Sequence, residues 1–161
     1  MKTSPLIVRD ARRTDRDAIV ASNLSLAIET EGKQLDPRVV GRGVDRALES
    51  DDRLRYWVAE REGRILGQSA VSREWSDWRC GWIWWLQSVY VVDEARGLGV
   101  FRALHSHIRD EARRTPDVIG LRLYVEHENH RAQKTYEALG MTPGGYLVFE
   151  ELWPERFGLS D

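Results

Sequence analysis

Apolar residues recur every three or four positions in the first third of the chain, the period of a helix with one buried face. The first such run follows a short apolar strand at 6–9, and we expect Thr14 to cap this helix and Gly32 to end it. Asp36 before Pro37 is typical of a second helix start, because proline fits the first helical position. The pattern therefore predicts one strand followed by two helices.

From residue 55 onward the chain is dominated by strand-like runs. Runs 56–59 and 65–72 flank Glu62-Gly63, a pair typical of the tight turn of a hairpin. The elements predicted after this hairpin are a strand over 82–92, a helix over 96–114 after a Gly-containing loop, a strand over 118–125, a helix over 129–139 and a last strand over 146–152. The order β-α-α-β-β-β-α-β-α-β predicts an α/β fold of the mixed-sheet (α+β) kind, with helices on the faces of the sheet.

The composition fits one soluble domain. The length of 161 residues is that of a single domain, which we expect to span 1–161. The net charge of -2 lacks the basic character of a nucleic-acid-binding domain. Because the sequence has neither a long apolar run nor a signal-peptide pattern, we expect a cytoplasmic protein with no membrane partner. Cys80 is the only cysteine, which excludes an internal disulfide and a cysteine-based zinc site.

The first candidate for chemistry is the apolar run 89–92, which leads into Arg96-Gly97-Leu98-Gly99-Val100-Phe101. This pattern predicts a strand, a glycine-bearing turn and a helix. Amides at a helix N-terminus bind anions, and glycines let a ligand approach the backbone closely, so a phosphate group is the natural ligand. Taken alone, the segment is better explained as a plain tight turn.

The second candidate is the pattern Asn129-x-x-Ala132-x-x-x-Tyr136. A step of seven residues is nearly two helical turns, so the amide of Asn129 and the phenol of Tyr136 face the same way. Taken alone, this pattern favours a structural interpretation, with Asn129 as a helix cap and Tyr136 in core packing.

In this order and separation, the two patterns together resemble the GNAT superfamily of acetyl-coenzyme A-dependent N-acetyltransferases. The resemblance covers nearly the whole chain. It implies the GNAT-like acyl-CoA N-acyltransferase fold, acetyl-CoA as co-substrate, and acetyl transfer to a primary amine of a small molecule or protein. By this resemblance the pantetheine arm pairs with the strand residues Val89, Tyr90 and Val91, and the pyrophosphate loop corresponds to Arg96, Gly97, Leu98, Gly99, Val100 and Phe101. Asn129 then corresponds to a residue that contacts the cofactor arm, and Tyr136 corresponds to the general acid.

The pyrophosphate loop departs from the family pattern at one position. The loop usually ends in Gly or Ala, where this chain has Phe101. The amide of Phe101 still donates, so we expect its side chain to point away from the cofactor and into the core. Arg102 follows in the first helical turn, where it either adds positive charge at a phosphate or is a solvated helix residue.

The available groups favour direct attack of the amine on the thioester. No Ser-His-Asp set is apparent, and Cys80 has no base near it in sequence, so a covalent acyl-enzyme is not supported. A carboxylate, directly or through water, could take the proton of the amine, and we choose Glu74, with Glu29 and Glu31 as further candidates. The alternative interpretation of each is a plain surface acid. We expect the backbone amide of Val91 to meet the oxyanion.

Five of the seven tryptophans lie between Trp75 and Trp85. One interpretation is packing in the core and at strand edges, and the other is an acceptor pocket lined by indole rings. Because this segment leads into the cofactor strand, we favour a pocket role for at least one of these tryptophans.

Two other functions stay open at this point. The domain is either an acetyltransferase or a non-catalytic sensor that binds an acyl-CoA, and an acyltransferase with another acyl donor or an oxygen acceptor is the third hypothesis. Tyr136 favours the enzyme, because binding alone does not need an acid. No metal is expected, since His105 and His107 are two residues apart on a helix and face different ways. A homodimer through a sheet edge is a further hypothesis.

Overall fold

The computed structural model describes residues 4–157, and the chain divides into two compact units, 1–124 and 125–161. The first unit contains, in chain order, β1 (Ile7–Asp10), α1 (Arg16–Glu31), α2 (Pro37–Glu49), β2 (Arg55–Arg61), β3 (Arg64–Ser76), β4 (Gly81–Val91), α3 (Val100–Arg114) and β5 (Val118–Leu123). The second unit contains α4 (His130–Ala138). Within the described residues, no helix is both long enough and apolar enough to cross a membrane.

The strands of the first unit form one mixed sheet in the order β1-β2-β3-β4-β5. Each neighbouring pair of strands between β1 and β4 is antiparallel, whereas β5 runs parallel to β4. Neighbouring residues of β2 show how both faces are covered: Trp57 packs in a core with residues of α3, and Val58 packs in a core with residues of α1 and α2. The predicted mixed sheet with helices on its faces is confirmed.

Local sequence signals predicted several boundaries correctly. Gly32 ends α1 in the left-handed conformation, with φ of 63°. The Asp36 side chain accepts a hydrogen bond of 2.8 Å from the amide of Arg38 and so caps α2. Glu62 and Gly63 both have positive φ, as the predicted hairpin turn requires.

Two predicted helix starts are wrong. Asp15, not Thr14, precedes α1, because Asp15 ends a short 3-10 turn in which its carboxylate accepts from the amide of Arg12 at 2.6 Å. The helix expected from residue 96 begins only at Val100. Gly97 and Gly99 have φ of 76° and 80°, which a right-handed helix cannot contain.

The predicted last strand over 146–152 is also wrong, because this segment takes part in no ladder among the described residues. Its side chains are largely exposed, with Tyr146 at 74% and Phe149 at 90%. The run has the aromatic and β-branched residues that strands prefer, but a strand exists only where a partner supplies hydrogen bonds. Composition alone therefore overestimated the number of strands in the sheet.

The inner face of α3 carries a buried histidine that the apolar pattern did not include. His105 is 2% exposed, and neither ring nitrogen has a hydrogen-bond partner in the part of the chain that the structure describes. Burial, together with the charge of Arg109, lowers the pKa of His105. The imidazole is therefore neutral in the folded protein at neutral pH.

This histidine predicts a specific pH dependence of stability. Because its folded pKa lies below the unfolded value of about 6.5, the unfolded chain alone binds the proton as the pH falls through that value. The contribution of His105 to the free energy of unfolding is thus fully present above about pH 6.5 and is lost below it, by at most about 1.4 kcal/mol per pH unit.

Denaturant melts at pH 5.0, 6.0 and 7.5 measure this dependence. His105→Leu is expected to flatten the fall between pH 7.5 and 5.0, and the exposed His127→Gln serves as the matched control. Identical slopes for His105→Leu and wild type would contradict the prediction.

Candidate active site

The site starts from a fork in the sheet between β4 and β5. Their parallel pairing runs from Trp82 opposite Val118 to Leu86 opposite Leu123 and ends there. β4 continues to Val91, whereas β5 stops at Leu123. Residues 87–91 therefore form an edge that is open on the β5 side among the residues described.

A β-bulge shapes this open edge. The register between β3 and β4 shifts between Gln68 and Ala70, and Ser88 takes a φ of 52°. Gln68, fully buried, donates through Nε2 to the carbonyl of Ser88 at 3.1 Å and to Oδ1 of Asn23 at 2.8 Å. A buried side chain on β3 thus links the bulge to α1.

The peptide groups beyond the bulge have a defined direction. Tyr90 is paired with Gln68 of β3, and the amide of Val92 donates to the carbonyl of Leu66 at 3.0 Å. Because the two polar groups of a trans peptide point opposite ways, the carbonyl of Val89 and both polar groups of Val91 face the open edge. Arg96 Nε donates to that Val91 carbonyl at 3.0 Å.

The turn between β4 and α3 presents backbone amides. The first helical bond of α3 runs from Ala103 to the carbonyl of Gly99 at 3.0 Å, so the amides of residues 100–102 precede the helical ladder. A side chain built at Gly97 or Gly99 would meet nothing within 4 Å, so both face open space. The amide of Leu98 already donates to Ala95, at 3.3 Å. These features suit an anion held by the backbone.

Side chains at the start of α3 point in different directions. Val100 is buried, and the half-buried ring of Phe101 lies 6.0 Å from that of His105. This packing is consistent with the expectation that the Phe101 side chain turns inward. Arg102 is exposed in the first turn of the helix.

Glu29, at the end of α1, contacts β4 and the turn that follows it rather than standing apart as a base. Its carboxylate accepts from the hydroxyl of Tyr90 at 3.0 Å and pairs with Arg96 at 2.5 Å. Burial and the bond to Glu29 raise the pKa of the Tyr90 phenol. Glu31, the other candidate on this helix, pairs with Lys33.

A cavity of about 300 Å³ lies where the fork begins. Its lining residues are Ser72, Arg73, Glu74, Trp85, Leu86, Gln87 and Tyr124. One carboxylate oxygen of Glu74 accepts from Trp85 Nε1 at 2.9 Å and from Arg122 at 3.0 Å. Glu74 is therefore in the cavity wall, where it fixes an indole ring and pairs with an arginine.

The tryptophan segment divides between the two faces of the sheet. Trp84 is 5% exposed and stacks 6.0 Å from Trp57 in the α3 core. The Trp75 and Trp82 rings meet edge to face at 5.0 Å, and Trp78 is 86% exposed. Of these tryptophans only Trp85 lines the cavity, its ring 4.4 Å from that of Tyr124. Most of the cluster therefore packs, and one member faces the cavity.

The second unit carries the other two predicted site residues. Asn129 caps α4, because its Oδ1 accepts from the amide of Ala132 at 3.1 Å, as the structural interpretation proposed. Tyr136 lies on the same helix and is half-buried. Burial raises the pKa of the Tyr136 phenol, so its proton is retained at neutral and mildly alkaline pH.

Three residues at the site were not found from the sequence. Gln68 and Asn23 are polar residues within otherwise apolar patterns, which is a weak signal of a buried network. Tyr124 lies within the strand predicted over 118–125 and just after the observed end of β5. It gave no signal, because its place beside Trp85 depends on the pairing of β5 with β4.

The sequence was also compared with known families. The model of a family described as the acetyltransferase (GNAT) family matches residues 22–141. The chain belongs to the GNAT acetyltransferase family. No curated protein matches the sequence.

Solved structures share the GNAT fold. A possible acetyltransferase from Clostridium difficile 630 is 39% identical, with a TM-score of 0.85 over 92% of this chain and 97% of that one. A predicted acetyltransferase with acetyl-CoA from Clostridium acetobutylicum is 17% identical, with a TM-score of 0.73 over 91% and 96%. The aminoglycoside N-acetyltransferase AAC(6')-Iy, in complex with a bisubstrate analog, is 18% identical, with a TM-score of 0.73 over 93% and 99%.

Proposed function

We propose that this GNAT acetyltransferase transfers the acetyl group of acetyl-CoA directly to a primary amine of a small molecule or protein. The observation that carries the proposal is the open edge of β4, which ends at a glycine turn and a helix N-terminus. Together these features offer one line of backbone groups for an extended ligand with a phosphate at its end.

The residues present fit acetyl-CoA. In the proposed complex the amide groups of the pantetheine arm bond to the carbonyls of Val89 and Val91, as an added strand does. The pyrophosphate lies against the amides that begin α3, near Gly97 and Gly99. Arg96 releases its hydrogen bond to the Val91 carbonyl and forms an ion pair with the pyrophosphate instead.

The proposed reaction is a direct substitution at the thioester carbon. The amine lone pair forms the C–N bond, and the carbonyl oxygen becomes an oxyanion that the Val91 amide stabilises. The C–S bond then breaks, and the electron pair leaves with sulfur. Tyr136 supplies a proton to the thiolate, and the ammonium proton passes to Glu74, directly or through water.

Two measurements test the proposal. Acetyl-CoA at about 100 times its Kd is expected to stabilise the protein by about 2.7 kcal/mol, seen as a rise in Tm of several degrees. Thiol release from acetyl-CoA across a panel of amines then separates an enzyme from a sensor. Stabilisation without amine-dependent thiol release favours the acyl-CoA sensor, and absence of both overturns the proposal.

Glu74→Gln tests the assigned proton acceptor. Glutamine keeps a carbonyl that accepts from Trp85 but cannot take a proton, so kcat/KM for the amine is expected to fall about tenfold at pH 7. The loss is expected to shrink as the pH rises, because the fraction of free amine increases toward its pKa of about 10.4.

Glu29→Gln is the matched comparison, because Glu29 contacts the cofactor strand outside the cavity lining. A loss for Glu74→Gln that is the same at every pH, or no loss at all, removes Glu74 from proton transfer.

A further inference from the structure

We infer that Glu29 is a positioning residue for acetyl-CoA binding: it holds Arg96 across the Val91 carbonyl and thereby lowers the affinity of the protein for acetyl-CoA. The inference rests on the proposed function, because it concerns the contacts that acetyl-CoA makes in that same site. It draws on the contacts of the Arg96 guanidinium, on the bond that orients Glu29, and on the open edge of β4.

All three nitrogens of the Arg96 guanidinium are bonded within the first unit. Nε donates to the Val91 carbonyl at 3.0 Å, Nη2 pairs with Oε2 of Glu29 at 2.5 Å, and Nη1 pairs with Oδ1 of Asp93 at 3.1 Å. The guanidinium carbon also lies 5.5 Å from the centroid of the Tyr90 ring. The arginine is therefore held in one orientation over the end of β4, although its side chain is 31% exposed.

Glu29 is itself oriented by Tyr90. The Tyr90 hydroxyl donates to Oε1 of Glu29 at 3.0 Å, while Oε2 bonds to Arg96. Burial and the bond to Glu29 raise the pKa of the phenol, so Tyr90 remains a donor at neutral pH. Because Glu29 lies on α1 and Tyr90 lies on β4, the arginine of the turn is tied to two other elements.

Two of the Arg96 contacts use the same side of the guanidinium. Nε and Nη2 form one side of its planar fork, and a phosphate can accept two parallel hydrogen bonds from that side. The Val91 carbonyl and Glu29 share it, whereas Asp93 bonds to the far nitrogen Nη1. Arg96 therefore gives up both the carbonyl and Glu29 when it turns this side to the pyrophosphate, but it keeps Asp93.

The place of a carboxylate beside an anion site has a physical reason in this arrangement. Glu29 opposes phosphate binding by its charge and by its bond to the arginine. The same bond keeps a side chain over the Val91 carbonyl in the ligand-free protein, and unpaired strand edges are prone to pair with other chains. Glu29 therefore protects this edge and lowers the affinity for acetyl-CoA.

Calorimetric titration of the full chain with acetyl-CoA tests the inference without turnover. Glu29→Gln keeps a carbonyl for Tyr90 but removes the charge, so Kd for acetyl-CoA is expected to fall about threefold to fivefold, the size of effect for a partly exposed ion pair. Asp93→Asn is the matched control, because it removes the same charge from the same arginine at an 89% exposed side chain on the other side of the fork. We expect it to change Kd less than about 1.5-fold.

A double-mutant cycle tests whether Glu29 acts through Arg96. In the Arg96→Ala background, Glu29→Gln is expected to change Kd less than about 1.5-fold, because the carboxylate then has no guanidinium to hold. An unchanged or higher Kd in Glu29→Gln alone overturns the inference. Equal tightening in Asp93→Asn, or the same tightening in the Arg96→Ala background, also overturns it, because either result assigns the effect to the general field of negative charge.

The proposed function fails on a different result. Absence of acetyl-CoA binding by the wild-type protein overturns the proposed function itself. Wild-type binding and amine-dependent thiol release, together with an unchanged Kd in Glu29→Gln, overturn only the positioning role. Because this role concerns acetyl-CoA binding, Glu29→Gln is not expected to show the pH-dependent loss in amine turnover that is expected of Glu74→Gln.

Discussion

Tyr136→Phe is expected to lower kcat by tens to hundreds of times while leaving KM for acetyl-CoA within about twofold of wild type. The change removes one hydroxyl and keeps the ring that packs. A coenzyme A thiolate has a pKa near 8.5, so it leaves fairly well unaided, and this limits the loss. Burial raises the pKa of Tyr136, so the wild-type phenol holds its proton across the working pH range.

Thiol release under saturating acetyl-CoA and amine measures this effect. Tyr146→Phe is the control, because Tyr146 is an exposed tyrosine of the same unit and the substitution removes the same atom. Thermal melts of both variants exclude unfolding as the cause. Turnover of Tyr136→Phe at the wild-type rate would remove Tyr136 from the mechanism, and a rise in KM for acetyl-CoA alone would assign it to binding.

The fold was predictable where short segments decide their own conformation. Asp36 caps α2 with its own side chain, and Glu62-Gly63 forms its turn from backbone preference alone. The segment 146–152 has equally strong strand composition, but a strand also needs a partner strand from another part of the chain, and none pairs with it among the described residues. Local chemistry could therefore predict this turn and this cap, but not whether the last run joins a sheet.

The candidate site, like the fold, could be predicted only where neighbouring residues in the sequence form it. The run from Val89 to Arg102 is contiguous, so its strand, glycine turn and helix could be read along the sequence. The stack of Trp85 and Tyr124 could not, because these residues are brought together by the parallel pairing of β4 with β5. The tryptophan cluster shows the same limit, since alternation along β4 places Trp84 in the core and Trp85 in the cavity.

Gln68→Met is expected to lower kcat about a hundredfold although Gln68 lies inside the sheet. Its amide nitrogen bonds to the Ser88 carbonyl and to Asn23, and this holds the bulge from which the Val91 amide is directed at the open edge. Methionine fills the space but leaves both carbonyl oxygens without a donor, at a cost of about 1–3 kcal/mol in stability for each. Loss of an aligned oxyanion donor lowers the rate about 10²–10³-fold. A variant in which the bulge is tilted is therefore expected to show a large part of this reduction in kcat.

Measurements well below the Tm separate positioning from stability. Ser69→Ala is the matched control, because Ser69 is also fully buried on β3, and its hydroxyl has no partner among residues 4–157. Asn23→Ala removes the link to α1 and the bond from Asn23 Nδ2 to the Tyr56 hydroxyl, but leaves the bond from Gln68 to Ser88. Its loss in kcat is therefore expected to be smaller than that of Gln68→Met. If Gln68→Met binds acetyl-CoA normally and turns over slowly, Gln68 acts by aiming the Val91 amide. Normal turnover with a lowered Tm would instead show that the bulge keeps its geometry without this side chain.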